Sequence, residues 1–349
     1  MNRAIRLGPV SVRWRPRHVT VLLITTLAAV VTAVVSAGIG EVQLTPQRVL
    51  EVIGGDGTRR EDLVILTIRV PRILVGLLVG AALGISGALV QGLARNPLAS
   101  PDLLGITAGA SLGAVSVIVL GGDDGVSGVL ATVGVPFGAL LGGLLAAALV
   151  FAICRRAGTH GLQPILVGIG VSAMLGGLVS WLLVKASINE ASRANVWLTG
   201  SLNGRSWTEL WPLLITLVAA SLALVPLSAR IPALHLGDNL ARGLGTAVRP
   251  VQAALLFIAV LLAAVATSVT GPIAFVALVA PHLARLASSA PRAPLAASGA
   301  TGACLVVVSD LVARTALAPL QLPVGAITAI AGAPFLLWLL VRERNRVTG

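Results

Sequence analysis

The sequence predicts an all-α, polytopic membrane protein with about ten transmembrane helices and both termini in the cytoplasm. Three observations predict it. Of 349 residues, 56% are hydrophobic and only 11% are charged, against about 25% charged in an ordinary soluble domain. Apolar runs of roughly 20 residues, the length that crosses a bilayer as a helix, recur along the whole chain and leave no room for a second, soluble domain. The third observation is where the charges fall. With ten spans and both termini inside, sixteen of the 25 Lys and Arg residues lie inside and nine outside, while three of the 13 acidic residues lie inside and ten outside. Basic residues gather on the cytoplasmic side of membrane proteins, and this topology obeys that rule. The net charge of +12 therefore reports orientation in a membrane, and nucleic acid is not an expected partner.

The elements follow in order. Residues 1–18 form a basic cytoplasmic tail with Arg3, Arg6, Arg13, Arg15 and Arg17. The transmembrane domain occupies residues 19–341, and a second basic tail occupies 342–349. The first apolar run is Val19–Gly40. Val35-Ser-Ala37 resembles a signal-peptide cleavage site, but the apolar core is too long for a signal and further spans follow at once. Residues 41–69 read as an external loop with a short helix at Pro46–Val52. Span two starts near Arg69-Val-Pro-Arg72 and runs to about Leu93, span three is Leu103–Leu120, and span four is Val129–Cys154. Each carries a glycine every fourth residue: Gly76, Gly80 and Gly84; Gly105, Gly109 and Gly113; Gly134, Gly138 and Gly142. Such stripes let helix backbones approach closely. Asn96 and two prolines make residues 95–101 a rigid turn. Span five is Gly161–Ala186, residues 187–207 are external, and span six is Thr208–Leu227. Spans seven (Val251–Thr270) and eight (Pro272–Ser289) are separated by Gly271-Pro272, which breaks an otherwise continuous run. Spans nine and ten are Leu295–Ala316 and Val324–Val341.

The longest inner connection is residues 228–250. Leu236, Leu240 and Leu244 recur every four residues and share one face of a short helix. Asp238 near its start and Arg242 near its end both suit the helix dipole, and Gly243 and Gly245 stop it. Such a helix is either gripped by another protein or lies on the lipid surface.

Few polar groups carry chemistry. Asp310 lies one turn before Arg314, an i,i+4 pair; an acid within a span is also the best support for a rival, ion-coupled secondary carrier. His282 and Arg285 lie near the inner end of span eight, where Pro281 is expected to end the helix. Without a second ligand at metal spacing they read as structural contacts to the 228–250 connection. His18, His160, His235 and His282 all fall at cytoplasmic edges with no nucleophile–base pair, which argues against an intramembrane hydrolase. Cys154 and Cys304 read as small apolar residues. The chain has no Gly-x-x-x-x-Gly-Lys-Ser/Thr loop to cradle a nucleotide phosphate. It is not expected to be an enzyme or to bind a cofactor or metal itself.

Five ordered motifs carry a resemblance. They are Arg69-Val-Pro-Arg72; Arg95-Asn-Pro-Leu-Ala-Ser-Pro-Asp-Leu-Leu-Gly105; Gly237-Asp-Asn-Leu-Ala-Arg-Gly-Leu-Gly245; Gly271-Pro-Ile-Ala-Phe-Val-Ala-Leu-Val-Ala-Pro-His-Leu-Ala-Arg285; and Leu322-Pro-Val-Gly-Ala-Ile-Thr328 with Gly332-Ala-Pro334. From about residue 20 to residue 341 the chain resembles the permease subunits of ATP-binding-cassette importers for iron siderophores, haem and vitamin B12. Trp181-Leu-Leu-Val-Lys-Ala-Ser187 and Gly200-Ser-Leu-Asn-Gly204 are most similar to permeases of the ferric-enterobactin type. Ala277 departs from the family's usual Gly.

The resemblance implies an assembly. Its parts are a second permease subunit, similar rather than identical; two ATP-binding subunits, which use ATP and Mg2+; and an extracytoplasmic binding protein, either a lipoprotein or periplasmic. The implied cargo is a ferric siderophore, with haem or vitamin B12 as alternatives. Gly237, Asp238, Ala241, Arg242, Leu244 and Gly245 would couple to the ATP-binding subunit. Arg69, Arg72 and Arg314 would dock the binding protein's acidic residues, where the plainer reading is snorkelling to lipid headgroups. Asn96, Pro97 and Leu98 would form a cytoplasmic gate. Lys185 would lie on the substrate path and draw an anionic cargo inward by focusing the local field; snorkelling is its plainer reading.

Overall fold

The computed structural model describes residues 4–7, 10–13, 16–40, 42–121, 134–156, 163–318 and 320–347. His160, Gly161, residues 129–133 of the expected fourth span, and parts of both tails lie outside the described residues.

The described chain is a bundle of helices: α1 (Pro16–Gly38), α2 (Pro46–Ile53), α3 (Val70–Ala94), α4 (Ile106–Leu120), α5 (Val135–Arg156), α6 (Gln163–Lys185) and α7 (Ile188–Leu198), then α8 (Trp207–Ser228), α9 (Ile231–Leu234), α10 (Asp238–Gly243), α11 (Val248–Thr270), α12 (Val276–Ala287), α13 (Leu295–Thr315) and α14 (Val324–Val347). Eight are long and apolar enough to cross a membrane: α1, α3, α5, α6, α8, α11, α13 and α14. The protein is a multi-pass membrane protein. Within the N-terminal tail, Ala4–Leu7 and Val10–Arg13 pair as a small antiparallel hairpin.

Two of the ten expected spans are short. At 1.5 Å per residue α4 is about 22 Å long and α12 about 18 Å, less than the roughly 30 Å of a hydrocarbon core. Span eight is short because residues 271–275 are not helical. Gly271 and Phe275 take left-handed backbone angles, φ 74° and 66°. This irregular backbone is tolerable in a membrane only when protein surrounds it. Here Ser201 N–H donates to the Thr270 carbonyl at 2.8 Å, and Gly325 N–H to the Gly200 carbonyl at 3.0 Å. Contrary to expectation, Pro281 lies inside α12 and does not end it. Span three is short because residues 101–104 form a separate 3-10 turn.

Two stretches expected to be loops are helical. The helix of span two begins at Arg59, not near Arg69; a π-helical segment, Leu63–Arg69, leads into α3 just before Pro71. The wider turn sits directly ahead of the one residue that has no N–H to donate. Residues 188–198, expected to be external loop, form α7. Both starts carry a capping box, Thr58 with Glu61 and Ser187 with Glu190. A third, Ser206 with Glu209, starts α8. In each, the hydroxyl and the carboxylate satisfy orphan backbone N–H groups reciprocally.

The glycine stripes are packing faces. A Cβ at Gly80 or Gly84 would strike the backbone of Gly302 or Ser298 on α13. One at Gly109 or Gly113 would strike Gly142 or Gly138 on α5. At the centre, α11 buries Leu255, Leu262 and a run of small residues against α3 and α8.

Candidate functional site

The connection between α8 and α11 sits at one end of the bundle. Helix α10 is only six residues long, with Asp238 in its first turn and Arg242 in its last. Leu236 and Leu244 flank the helix instead of lying within it. Even so, Leu236, Leu240 and Leu244 are 58%, 62% and 66% exposed. Ala241, on the opposite side, is fully buried and seats the helix on the bundle. Gly237 and Gly245 have φ of 105° and 77°, angles that side chains resist.

Arg95 pins this connection. It ends α3 in the left-handed conformation, φ 50°. That turn sends its Nη2 to the Leu234 carbonyl at 3.0 Å and to Asp238 Oδ1 at 2.8 Å. Gln252 Nε2 donates to the same Asp238 oxygen at 3.4 Å, and Arg292 Nη2 to the His235 carbonyl at 3.2 Å. Between them lies a cavity of about 300 Å3, bordered by Asn96, Pro97, His235, Arg285 and Arg292. Burial, then the charges of Arg292 and Arg95, push the His235 imidazole down to about 4, so it is neutral near pH 7. Arg285 lines this cavity and meets His282 Nδ1 at 3.3 Å; His282 itself is buried, with its ring edge-on to Phe335 of α14.

The opposite end holds the three arginines expected to dock a binding protein. Arg69 and Arg72 are only 7% and 8% exposed. Arg69 donates to the carbonyls of Ala37 at 2.6 Å and Val42 at 2.7 Å, tying the start of α3 to the end of α1. Arg72 grips Asp310 Oδ1 through Nε at 3.1 Å and Nη2 at 2.8 Å. Arg314 reaches Asp310 Oδ2 at 3.2 Å, the expected i,i+4 pair, and also bonds Ser36. Asp310, 2% exposed, thus holds two guanidinium groups at once.

Of the other expected residues, Asn96 Oδ1 accepts from Leu98 N–H at 2.9 Å, closing the turn that contains Pro97. Lys185 is exposed, with its ammonium 4.9 Å from the Trp181 ring. Among the described residues no group of three or more His, Cys, Asp or Glu could hold a metal ion.

Residues 26–342 match the FecCD transport family. The chain belongs to the FecCD transport family. It is 38% identical over 338 residues to the ferric enterobactin transport system permease protein FepG of Escherichia coli (strain K12), covering 94% of this chain and 99% of that one. It is 37% identical over 324 residues to the iron(3+)-hydroxamate import system permease protein FhuG of Bacillus subtilis (strain 168), covering 92% and 96%. A solved structure, an inward-facing conformation of an ABC transporter assigned to the metal-chelate type, superimposes with a TM-score of 0.80 at 30% identity, covering 93% of this chain and 99% of the other.

Within this FecCD chain, the sequence showed the Asp310–Arg314 pair but not the longer-range partners of the singled-out residues. Arg95, immediately after a helix end and next to Asn-Pro, is the clamp on Asp238, although only its motif was noted. The Arg72–Asp310 pair joins residues 238 positions apart, which no local spacing reveals.

Proposed function

We propose that this chain is the membrane-embedded permease subunit of an ATP-driven importer that carries a ferric siderophore into the cytoplasm. The observation that supports it most is the α9–α10 connection. Three leucines are presented outward at one end of the bundle, on and beside a short helix fixed from behind by Ala241 and by the Arg95–Asp238 pair. Family membership and the cargoes named for the relatives support the rest. In this reading the end carrying residues 228–250 faces the cytoplasm, as do both termini. An ATP-binding subunit there receives Leu236, Leu240 and Leu244, with Asp238, Arg242 and Gly245 setting the loop's shape. ATP and Mg2+ are bound and used by that partner. A second permease subunit and an extracytoplasmic binding protein complete the assembly, and Asn96–Leu98 form the turn nearest the inner exit.

The ion-coupled alternative draws no support from Asp310, because both carboxylate oxygens already meet guanidinium groups. The docking role of Arg69, Arg72 and Arg314 is proposed in a narrower form. Their side chains brace the outer rim on which a binding protein sits, and they offer little free charge of their own.

The test is Gly245→Val. A β-branched residue resists the left-handed angle found there, so the loop should change shape while the chain still inserts. Uptake of radiolabelled iron chelate should fall by about tenfold or more, as when an interface hot spot is lost, and the ATP-binding subunit should no longer co-purify. Uptake at the wild-type rate, or uptake that follows a proton gradient without ATP, would refute the assignment.

A further inference from the structure

A second cavity lies at the opposite end from α10. It measures about 580 Å3 and is bordered by residues of α7, by the loop 199–206, and by Gln321–Pro323. That volume suits a small chelate or a large part of one. Arg193, Trp197, Asn203, Arg205, Glu209 and Gln321 line it.

Its wall is made of donors. The Arg205 guanidinium has no hydrogen bond or ion pair among the described residues, and its Nε is shielded from solvent without a partner. A buried donor left unmade is costly, so such a group marks a place that a ligand completes. Asn203 and Gln321 are fixed by Arg72, whose Nη1 donates to Asn203 Oδ1 at 3.4 Å and to Gln321 Oε1 at 3.1 Å. With their oxygens occupied, the two amides keep their NH2 groups as donors, and neither has an acceptor among the described residues. The one carboxylate, Glu209, uses Oε2 to cap α8, accepting from Ser206 N–H at 2.9 Å, Ser206 Oγ at 2.6 Å and Thr208 Oγ1 at 3.0 Å. Its charge also acts on Arg205 through space. Unpaired donors on Arg205, Asn203 and Gln321 fit an acceptor-only ligand, that is, anionic oxygens.

We propose that this cavity binds the anionic oxygens of the ferric chelate, with Arg205 as the charged ligand and the NH2 groups of Asn203 and Gln321 as neutral ones. The proposal rests on the chelate-importer reading and adds a site to it. It also places Arg72 and Asp310 behind the site as positioning residues. Lys185, over Trp181 and absent from the cavity lining, is not part of it.

The test uses the full chain purified with its partner subunits in detergent. Two probes are titrated: the ferric complex of a tricatecholate, a trianion, and a neutral ferric trihydroxamate. Quenching of tryptophan fluorescence reads binding, because Trp197 borders the cavity; Trp197→Phe should remove most of the quench. Arg205→Gln should weaken the tricatecholate by about tenfold or more, the effect of losing a charged hydrogen bond. It should change the trihydroxamate by no more than about twofold. Arg205→Lys should restore part of the loss. Asn203→Asp keeps an acceptor for Arg72 but replaces a cavity donor with a negative charge, and should weaken the tricatecholate alone even if Arg205→Gln fails to assemble. Unchanged tricatecholate binding in both variants overturns the site, as does an equal loss for both chelates, or no binding of either by the wild type. So does a loss confined to capture of the binding protein, which would make Arg205 a docking contact. If cells import neither chelate through the intact transporter, the importer reading falls instead.

Discussion

The two ends of this bundle handle their polar and apolar groups in opposite ways. Around Arg72, charge is buried and satisfied within the chain: one carboxylate, Asp310, serves two guanidinium groups across α3 and α13. At the end bearing α10, charge is half-exposed, as in the Arg95–Asp238 pair, and three leucines stand in the open. The first arrangement holds helices in register. The second is incomplete, because large apolar side chains presented together mark a surface meant to be covered. Exposure, more than residue type, separates bracing from contact: Arg69, Arg72 and Arg314 turned inward, and the leucines turned outward.

The strongest way to break the comparison is Asp310→Ala. Removing one partner of a buried ion network leaves the other charges uncompensated, at a cost of about 3–5 kcal/mol. The melting temperature in detergent should drop sharply, whereas Leu240→Glu at the other end should leave it nearly unchanged while abolishing co-purification of the ATP-binding subunit. A similar drop for Leu240→Glu would make both ends structural.

Gly80→Val comes next. Its Cβ would meet the Gly302 backbone, and overpacking of this kind costs about 1–3 kcal/mol. Loss of thermal stability without loss of family-type assembly at 25 °C would show that the glycine stripe is packing alone. Gly177→Val is the control, since nothing lies within 4 Å of a Cβ there; it should leave the melting temperature where it was.

Arg95→Ala should have a smaller effect on stability, within about 1 kcal/mol, as for other half-exposed ion pairs. Its signature should be local. Hydrogen exchange across residues 231–243 should quicken while α11 stays protected.

The smallest effect is a pH dependence. His235 has its folded value depressed to about 4 from an ordinary 6.5. As pH falls through that window the unfolded or undocked state takes up the proton first. The contribution of neutral His235 is therefore complete above 6.5 and lost progressively towards 4. Protection in residues 231–243, relative to the intrinsic exchange rate at each pH, should fall over that range, and His235→Gln should flatten the profile. A flat wild-type profile would mean that the histidine is not held in the cavity as its geometry indicates.

Much of this was legible in the sequence because it depends on local rules. Apolar run length announces a spanning helix, glycine at every fourth position announces a close face, and Ser-x-x-Glu announces a helix start. The spacing of Leu236, Leu240 and Leu244 singled out the leucines that stand exposed, although only Leu240 lies within the helix they were expected to share. Even the helix α7, expected as a loop, was written in Ser187 and Glu190; the polar composition of the stretch outweighed the cap.

Other features were decided only when distant segments met. Whether Arg72 points to solvent or to Asp310 depends on how α3 and α13 pack, and the break before α12 is met by a distant loop, whose Ser201 N–H donates to the Thr270 carbonyl. The cavity around Arg205 exists for the same reason: its lining comes from α7, the loop before α8 and the turn before α14, segments joined by no local pattern. Sequence periodicity reports what one helix prefers to face. Which group satisfies a buried charge is a pairwise property of space, and the tertiary structure alone supplied it.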